Sequence, residues 1–505
     1  MARIEIPETR LREITSLRHV GVADVAVRAI SDDSREVDGY TLFFARPTVS
    51  SPADRFVADA IEQGAAAVLG GGLTPGPDVI NVDRPEEVLA DLVRGANGWS
   101  HDLFSITAVT GTNGKTTVSH LIAALADSKG DPVGVIGTLG WGLWSPRAVY
   151  EPIGNTTPGL IDNWRLIAEM VRSGAREIVM EVSSHALAQG RVEGLPIRTG
   201  VFTNLGRDHF DYHGDVDAYL AAKARLFALP SLRQGVLNAD QEASATMRAT
   251  LEAREDLPRL LCYALDHGRA PDACRPCLTG EMETTADGRM RLSVDHQTQR
   301  GVIQTRLAGR FNAENLLAAL AARLVLGEPL GEMVFEAGRL SAPPGRMESF
   351  TLDGTKTVVV DYAHSPDALE NVLASLRDGL PSGARLGVVF GCGGDRDRGK
   401  RPEMGEIAER LADWVVITSD NPRSEAPESI LDAIRSGMQD HDGVDVITGR
   451  RQAIRHGIER LAAGVAGDCL LVAGKGHETG QEVAGKILPF DDREVVREMI
   501  AEVSK

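Results

Sequence analysis

The chain is short of positive charge. Of its 505 residues, 54 are Lys or Arg against 72 Asp or Glu, a formal net charge of −18. Nucleic acids and anionic membranes recruit proteins through basic faces, so neither is an expected partner. Cysteine is scarce as well, with Cys262, Cys274, Cys277, Cys392 and Cys469 making five. An odd number spread through a large chain builds no disulfide framework and suits a reducing cytoplasm. The CRPC run at 274–277 has no second pair or histidine cluster to complete a metal site, and it reads as a surface loop. No apolar run approaches membrane-spanning length, and the opening MARIEIPETRLREI lacks the apolar stretch of a signal peptide. Short-period repeats and low-complexity tracts are missing too. A cytoplasmic globular protein of about three domains is expected.

What is present is an ordered alternation of strand and helix signals. Residues 1 to about 100 carry short β-like runs (TLFFA, AAAVLG, DVINV) and end in the polar GANGWSHD. From 104 to about 340, apolar runs such as SITAVT, REIVMEV, TGVFTN and GVLNAD each precede a loop and a helical period. SAPPGRMES at 341–349 reads as a hinge. Beyond it, TVVVDYAH, LGVVFGCGGDRDRGKR, WVVITSDNPRSE and CLLVAGKGHE each end an apolar run in a loop of Asp, Arg, His and Gly. Strands alternating with helices make mostly parallel sheets, and ligands bind them beyond the carboxyl ends of the strands.

TGTNGKTT at 110–117 is the clearest chemical signal. Gly111, Thr112, Asn113 and Gly114 can turn backbone N–H groups toward phosphate at a helix N-terminus. Lys115 supplies a cation, the Thr116 hydroxyl can bind Mg²⁺, and Thr117 follows on the same turn. As an exposed loop residue Lys115 is expected to add little to stability. The glycine spacing is one short of the general pattern, since position 109 is Val; strand before and helix after still favour a nucleotide site over a plain turn. Glu181 ends an apolar strand, where an uncompensated carboxylate is costly, so a cation is expected beside it. His209 follows the next strand, and by itself is equally a metal ligand or a satisfied loop residue. Tyr219 and Lys223 lie four apart on one helix face. Lys223 sits among Ala and Leu, and either snorkels to solvent or has a chemical use.

Taken in order, DDSREVDGYTLFFA, TGTNGKTT, GNTTP, MEVSSHAL, TNLGRDHFDYHG, YLAAKARLF, GRFNAENLLAA, PPGRME, DYAHSPDALENVL, GGDRDRGKRP, SDNPRSE and GKGHE resemble the Mur ligases over essentially the whole chain. These are the ATP-dependent amide-forming enzymes of peptidoglycan synthesis, and the short-spaced phosphate loop is their form of it. The resemblance is to the members that add meso-2,6-diaminopimelate to UDP-N-acetylmuramoyl-L-alanyl-D-glutamate. It implies three α/β domains: a UDP-sugar-binding domain over 1–102, a P-loop ATPase-type parallel sheet over 103–340, and a Rossmann-like amino-acid-binding domain over 341–505.

The resemblance also implies roles. Thr116 and Glu181 would hold one Mg²⁺, while His209 and a CO₂-derived carbamate on Lys223 would hold a second. Asn312, Arg346 and Asp361 match ATP contacts. Ser34, Asn155, Thr156, Thr157, Ser183, Gln189 and Arg191 match contacts to the UDP-sugar dipeptide. His364 matches a residue near the site that assists amine deprotonation or only holds position. ATP and the two other substrates are the expected partners, and the chain is expected to act as a monomer.

Selection of the amino acid rests on SDNPRSE. Diaminopimelate differs from lysine by a carboxylate beside its distal ammonium, and a planar guanidinium binds carboxylate in bidentate fashion. Arg423 is the candidate, with Arg396 second and Pro422 fixing the turn before Arg423. Asp420, Asn421, the Gly474 carbonyl and Glu478 would accept from the ammonium. The competing reading pairs Arg423 with Glu425 or Glu428 at the surface. A folylpolyglutamate-type ligase and a non-catalytic nucleotide switch are the alternatives; Ser34 and GNTTP argue against the first, and Glu181, His209 and Lys223 against the second.

Overall fold

The structure, a computed structural model, describes residues 3–18, 24–46, 52–145, 148, 150–206, 210–265, 277–285, 290–305, 307, 309–440 and 443–503. Three large sheets follow one another along the chain. The first is five-stranded, formed in chain order by Arg3–Arg10, Ala26–Ser31, Thr41–Ala45, Ala67–Gly70 and Val79–Asn81; its first pair is antiparallel and the rest parallel. TLFFA, AAAVLG and DVINV are therefore strands, as their composition predicts.

The second sheet is ten-stranded, with Ser105–Thr110 between Ile197–Phe202 and Glu177–Glu181. Its middle is parallel, because these strands are continuous apolar runs that need helices on both faces. Its edges are not. Beyond Arg259–Leu265 the strands Cys277–Thr284, Met290–His296 and Gln299–Thr305 run as antiparallel hairpin pairs, and Gly140–Leu143 turns back on Val133–Gly137. Met290, Leu292, Val294 and His296 are buried and alternate with more accessible neighbours, the period of a half-buried antiparallel strand. The backbone at Gln297 is left-handed (φ 56°), which suits a two-residue hairpin turn. Of the CRPC run, Cys277 opens one of these strands; Cys274 lies outside the described residues.

Helices Lys115–Asp127 and Arg310–Leu324 pack together over one face of this sheet, through Val118, Leu121, Ile122 and Leu125 of the first and Leu316, Leu317 and Leu320 of the second. Each such side chain, fully buried, contributes roughly 1.5–3 kcal/mol. The opposite face, covered by Leu160–Arg172 and Val216–Ala228, shares a continuous apolar core with the first sheet, from Ile4 and Leu11 to Trp164 and Phe227.

The third sheet has six strands in the order Glu348–Leu352, Lys356–Asp361, Cys469–Ala473, Leu386–Phe390, Trp414–Ile417, Val444–Val446, parallel after the first pair. Two clusters of its own cover its faces. Among the described residues, no helix is long and apolar enough to cross a membrane.

Candidate active site between the second and third sheets

The strand Ser105–Thr110 ends in the glycine loop and the helix begins at Lys115. Gly114 has φ 84°, and a Cβ there would stand 2.5 Å from Asn315 Oδ1, so backbone conformation and close approach both call for glycine. The segment after Ile197–Phe202 wraps the loop. Asn113 N–H donates to Asn204 Oδ1 (2.9 Å), Gly206 N–H donates to Thr112 Oγ1 (2.9 Å), and that hydroxyl also meets Tyr219 OH (3.1 Å). Lys115 is half-buried rather than exposed, and its Nζ donates to the carbonyls of Gly111 (3.0 Å) and Thr112 (2.8 Å).

Glu181 is 1% exposed. Its carboxylate accepts from Thr116 Oγ1 (2.9 Å), from Thr138 N–H (2.8 Å) and from Thr138 Oγ1 (2.9 Å), and these donors offset the cost of burial. Thr138 was not expected from the sequence, where a threonine in a loop carries no distinguishing signal. The Thr116 hydroxyl in turn accepts from Arg346 (3.2 Å). A hydroxyl and a carboxylate, both hard oxygen donors, suit Mg²⁺ beside a phosphate loop. Lys223 is 1% exposed, so it does not snorkel, and its Nζ stands 4.2 Å from the centre of the Tyr219 ring. His209 lies outside the described residues.

The segment 341–349 leads into the third sheet here. Gly345, at φ 66°, lies so close to the backbone of Gly476 and His477 that no Cβ fits. Arg346 stacks over the Tyr362 ring at 4.5 Å. Asp361, at the end of its strand, accepts from Met347 N–H (2.9 Å) and Ala363 N–H (2.8 Å); burial raises its pKa while the Arg346 guanidinium opposes the rise. Burial and then Arg346 hold His477 at about 4, so its imidazole is neutral. A cavity of about 460 Å³ opens between the phosphate loop, helix Arg310–Leu324 and helix Pro366–Gly379. Asn113, Gly114, Thr117, Asn312, Arg346 and Asp361 line it, six of the expected nucleotide contacts in one place.

A second cavity, of about 520 Å³, lies on the other side of the loop at Tyr362–His364, which lines both. From the second sheet it takes Asn155, Thr156, Ser183 and Arg191. From the third sheet it takes Arg396, Asp420, Asn421, Arg423, Gly474 and Glu478, all on loops beyond strand carboxyl ends. His364 Nδ1 lies 2.8 Å from the Tyr362 carbonyl, and Lys400, a lining residue the motifs did not single out, donates to the His364 carbonyl (2.7 Å). Arg423, itself left-handed (φ 52°), donates to the Gly394 carbonyl (2.8 Å) and pairs with Glu482 at 3.1 Å. The anticipated surface partner Glu425 belongs instead to Arg401 and Arg398. Asn421 donates to Glu478 (3.0 Å) and accepts from Lys475 (3.1 Å). Burial works to raise the Glu478 pKa, but Lys475 at 2.8 Å brings it below the usual carboxylate range.

Other expected residues sit apart from these cavity walls. Thr157 is buried and donates to the Glu181 carbonyl (2.9 Å), and Arg191 donates to the Thr157 carbonyl (2.9 Å) and to Gln189 Oε1 (2.9 Å). Thr157 and Gln189 thus brace the wall that Ser183 and Arg191 present. Ser34 opens a single 3₁₀ turn beside the first sheet, and Pro422 is buried under Arg423 with its carbonyl against Gly394.

Comparison with known proteins decides the family. The Mur ligase middle domain matches residues 109–323, and the Mur ligase glutamate ligase domain matches residues 345–476. A UDP-N-acetylmuramoyl-L-alanyl-D-glutamate–2,6-diaminopimelate ligase of Pseudomonas putida is 42% identical over 479 residues, 93% of this chain and 94% of that protein. The chain belongs to the Mur ligase family. The Pseudomonas aeruginosa enzyme of the same name is likewise 42% identical, over 95% of this chain and 96% of its own. A solved structure of a ligase so named superposes with a TM-score of 0.72 at 34% identity, covering 98% of this chain and 99% of the other. Like other Mur ligases, the chain is an ATP-dependent ligase that forms amide bonds and uses Mg²⁺.

Proposed function

We propose that this Mur ligase joins meso-2,6-diaminopimelate to the D-Glu γ-carboxyl of UDP-N-acetylmuramoyl-L-alanyl-D-glutamate. One observation carries the reading: the 520 Å³ cavity opposes a wall of Asn155, Thr156, Ser183 and Arg191 to a wall of Arg396, Asp420, Asn421, Arg423 and Glu478, beside the phosphate loop. The first wall suits the nucleotide-linked dipeptide, and the second suits a zwitterionic amino-acid end.

A carboxylate has no good leaving group. Its oxygen attacks the γ-phosphorus of ATP, the bond to the bridging oxygen breaks, and acyl phosphate and ADP result. The amine then attacks the acyl carbon, phosphate leaves, and a proton is lost. Such transfers need alignment and charge neutralisation more than a protein nucleophile. Gly111, Thr112, Asn113, Gly114, Lys115 and Thr117 cradle the phosphates, and Asn312, Arg346 and Asp361 hold the nucleotide in its cavity. Ser34, Thr157 and Gln189 complete the nucleotide-sugar side, Pro422 fixes the turn that carries Arg423, and Gly474 offers its carbonyl. His364 either assists amine deprotonation or holds the amine in place. Thr116 and Glu181 would hold Mg²⁺, which neutralises phosphate charge when bound. His209 and Lys223, as a carbamate formed with CO₂, would hold a second; the burial of Lys223, where an ammonium is costly, supports this reading.

The domains run over 1–102, 103–340 and 341–505, and the chain works as a monomer. Its need for ATP suits the cytoplasm. Phosphate release that requires both the UDP-linked dipeptide and diaminopimelate, with L-lysine a poor replacement, tests the reading. Equal use of lysine would refute the choice of amino acid.

A further inference from the structure

Behind the wall of Asp420, Asn421 and Glu478 lie three buried charged residues that were given no role from the sequence: Arg450, Asp492 and Lys475. Arg450 and Asp492 are both fully buried and paired in bidentate fashion, Nε to Oδ1 at 2.8 Å and Nη2 to Oδ2 at 2.6 Å. Arg450 also donates to the carbonyls of Ser419 (3.4 Å) and Ala473 (2.9 Å), the residues just before Asp420 and Gly474. One guanidinium therefore ties together the two strand ends that carry the expected ammonium acceptors. Lys475, fully buried, pairs with Glu478 at 2.8 Å and donates to Asn421. Asp420 stands between Arg450 and Lys475, both of which lower its pKa against the larger effect of burial. No donor of the described residues makes a hydrogen bond to its carboxylate, which faces the 520 Å³ cavity.

Asp492, Asp420 and Glu478 are three carboxylates set in one row against two cations, Arg450 and Lys475, and with that imbalance burial raises the pKa of Asp420. The row is one cation short. On the proposed substrate reading, the missing charge is the distal ammonium, with Arg423 left to its carboxylate. We propose that Arg450, Asp492 and Lys475 are positioning residues that set amino-acid specificity: they hold Asp420, Asn421 and Glu478 as acceptors and fix the charge deficit that an ammonium fills. Lysine is refused at Arg423, and amino acids with a distal carboxylate but no distal amine are refused here.

The test compares kcat/KM for diaminopimelate with that for 2-aminopimelate, which lacks only the distal amine, using the full chain with ATP, Mg²⁺ and the UDP-linked dipeptide. Asp492→Asn makes the row neutral, and the preference for diaminopimelate should fall at least tenfold. The paired change Arg450→Met with Asp492→Leu keeps the deficit of one but removes the bonds to Ser419 and Ala473. KM for both amino acids should then rise, with the preference held within threefold. A merely structural role would move both amino acids alike in both variants. A preference within threefold of wild type in folded Asp492→Asn overturns the proposal. If that variant does not fold, Lys475→Met decides: the deficit becomes two, the preference must rise, and an unchanged one overturns it. A wild-type enzyme that makes no product with diaminopimelate would instead refute the substrate reading.

Discussion

Replacing Arg423 by alanine separates recognition from stability. Both residues carry a Cβ, so the strain of φ 52° is the same before and after. The folded protein loses the hydrogen bond to the Gly394 carbonyl and the ion pair with Glu482, whose side chains are 23% and 40% exposed. A pair that open to solvent contributes about 0–1 kcal/mol, and the hydrogen bond about 0.5–1.5 kcal/mol. The melting temperature should therefore fall by only a few degrees. Recognition is another matter, because Arg423 faces the cavity and would hold a substrate carboxylate removed from water. Truncating one partner of such a pair costs roughly 2–5 kcal/mol. At about 1.4 kcal/mol per decade, that is roughly a 30- to several-thousand-fold rise in KM for diaminopimelate. In the proposed arrangement ATP and the UDP-linked dipeptide touch other walls, so their KM values should stay within threefold. Coupled phosphate release, with each substrate titrated at saturating levels of the others, measures all three. A diaminopimelate KM within threefold of wild type would refute the assignment.

Lys115→Ala should abolish ATP turnover; losing its two bonds to loop carbonyls should also cost roughly 1–3 kcal/mol, read as a lowered urea midpoint. A variant that still forms product would remove Lys115 from the nucleotide site. Lys223→Ala should be nearly inactive in the same assay and partly restored by added short carboxylates, which can supply the lost oxygens; full activity without them would exclude the carbamate. His120, buried in helix Lys115–Asp127 against Tyr150, is held at about 4 by burial and then by Arg346 and His477. The unfolded chain binds this proton near 6.5, so its contribution is complete above that pH and is lost as pH falls toward 4, by at most about 1.4 kcal/mol per unit. Urea unfolding of wild type should weaken more steeply over that window than His120→Gln, and parallel curves would contradict it.

The elements legible in sequence were those with one dominant cause. The phosphate loop announces itself because glycines, lysine and a following helix must be contiguous, and the third sheet's strands because burial on both faces demands unbroken apolar runs. The hairpins from Cys277 to Thr305 carried a legible period of two, obscured by the expectation of a continuing helix–strand alternation. Thr138, Lys475 and the Arg450–Asp492 pair were not legible. Their roles depend on which residues meet across 43, 54 and 42 positions of chain, and nothing local distinguishes them from solvated polar residues. Glu181 shows the limit from the other side: its burial was foreseen, but not the three donors that make it tolerable.

The short loop from Tyr362 to His364 is a party wall between two chambers, and inhibitor chemistry can exploit it. On the proposed assignment of the two cavities, a compound with one arm shaped for the nucleotide and one for the amino acid would bind the second arm intramolecularly, at the high effective concentration a short tether enforces. The tether has to pass Tyr362, whose ring is already pinned beneath Arg346. Resistance by substitution is constrained at the same place, since a change in the wall alters both chambers together.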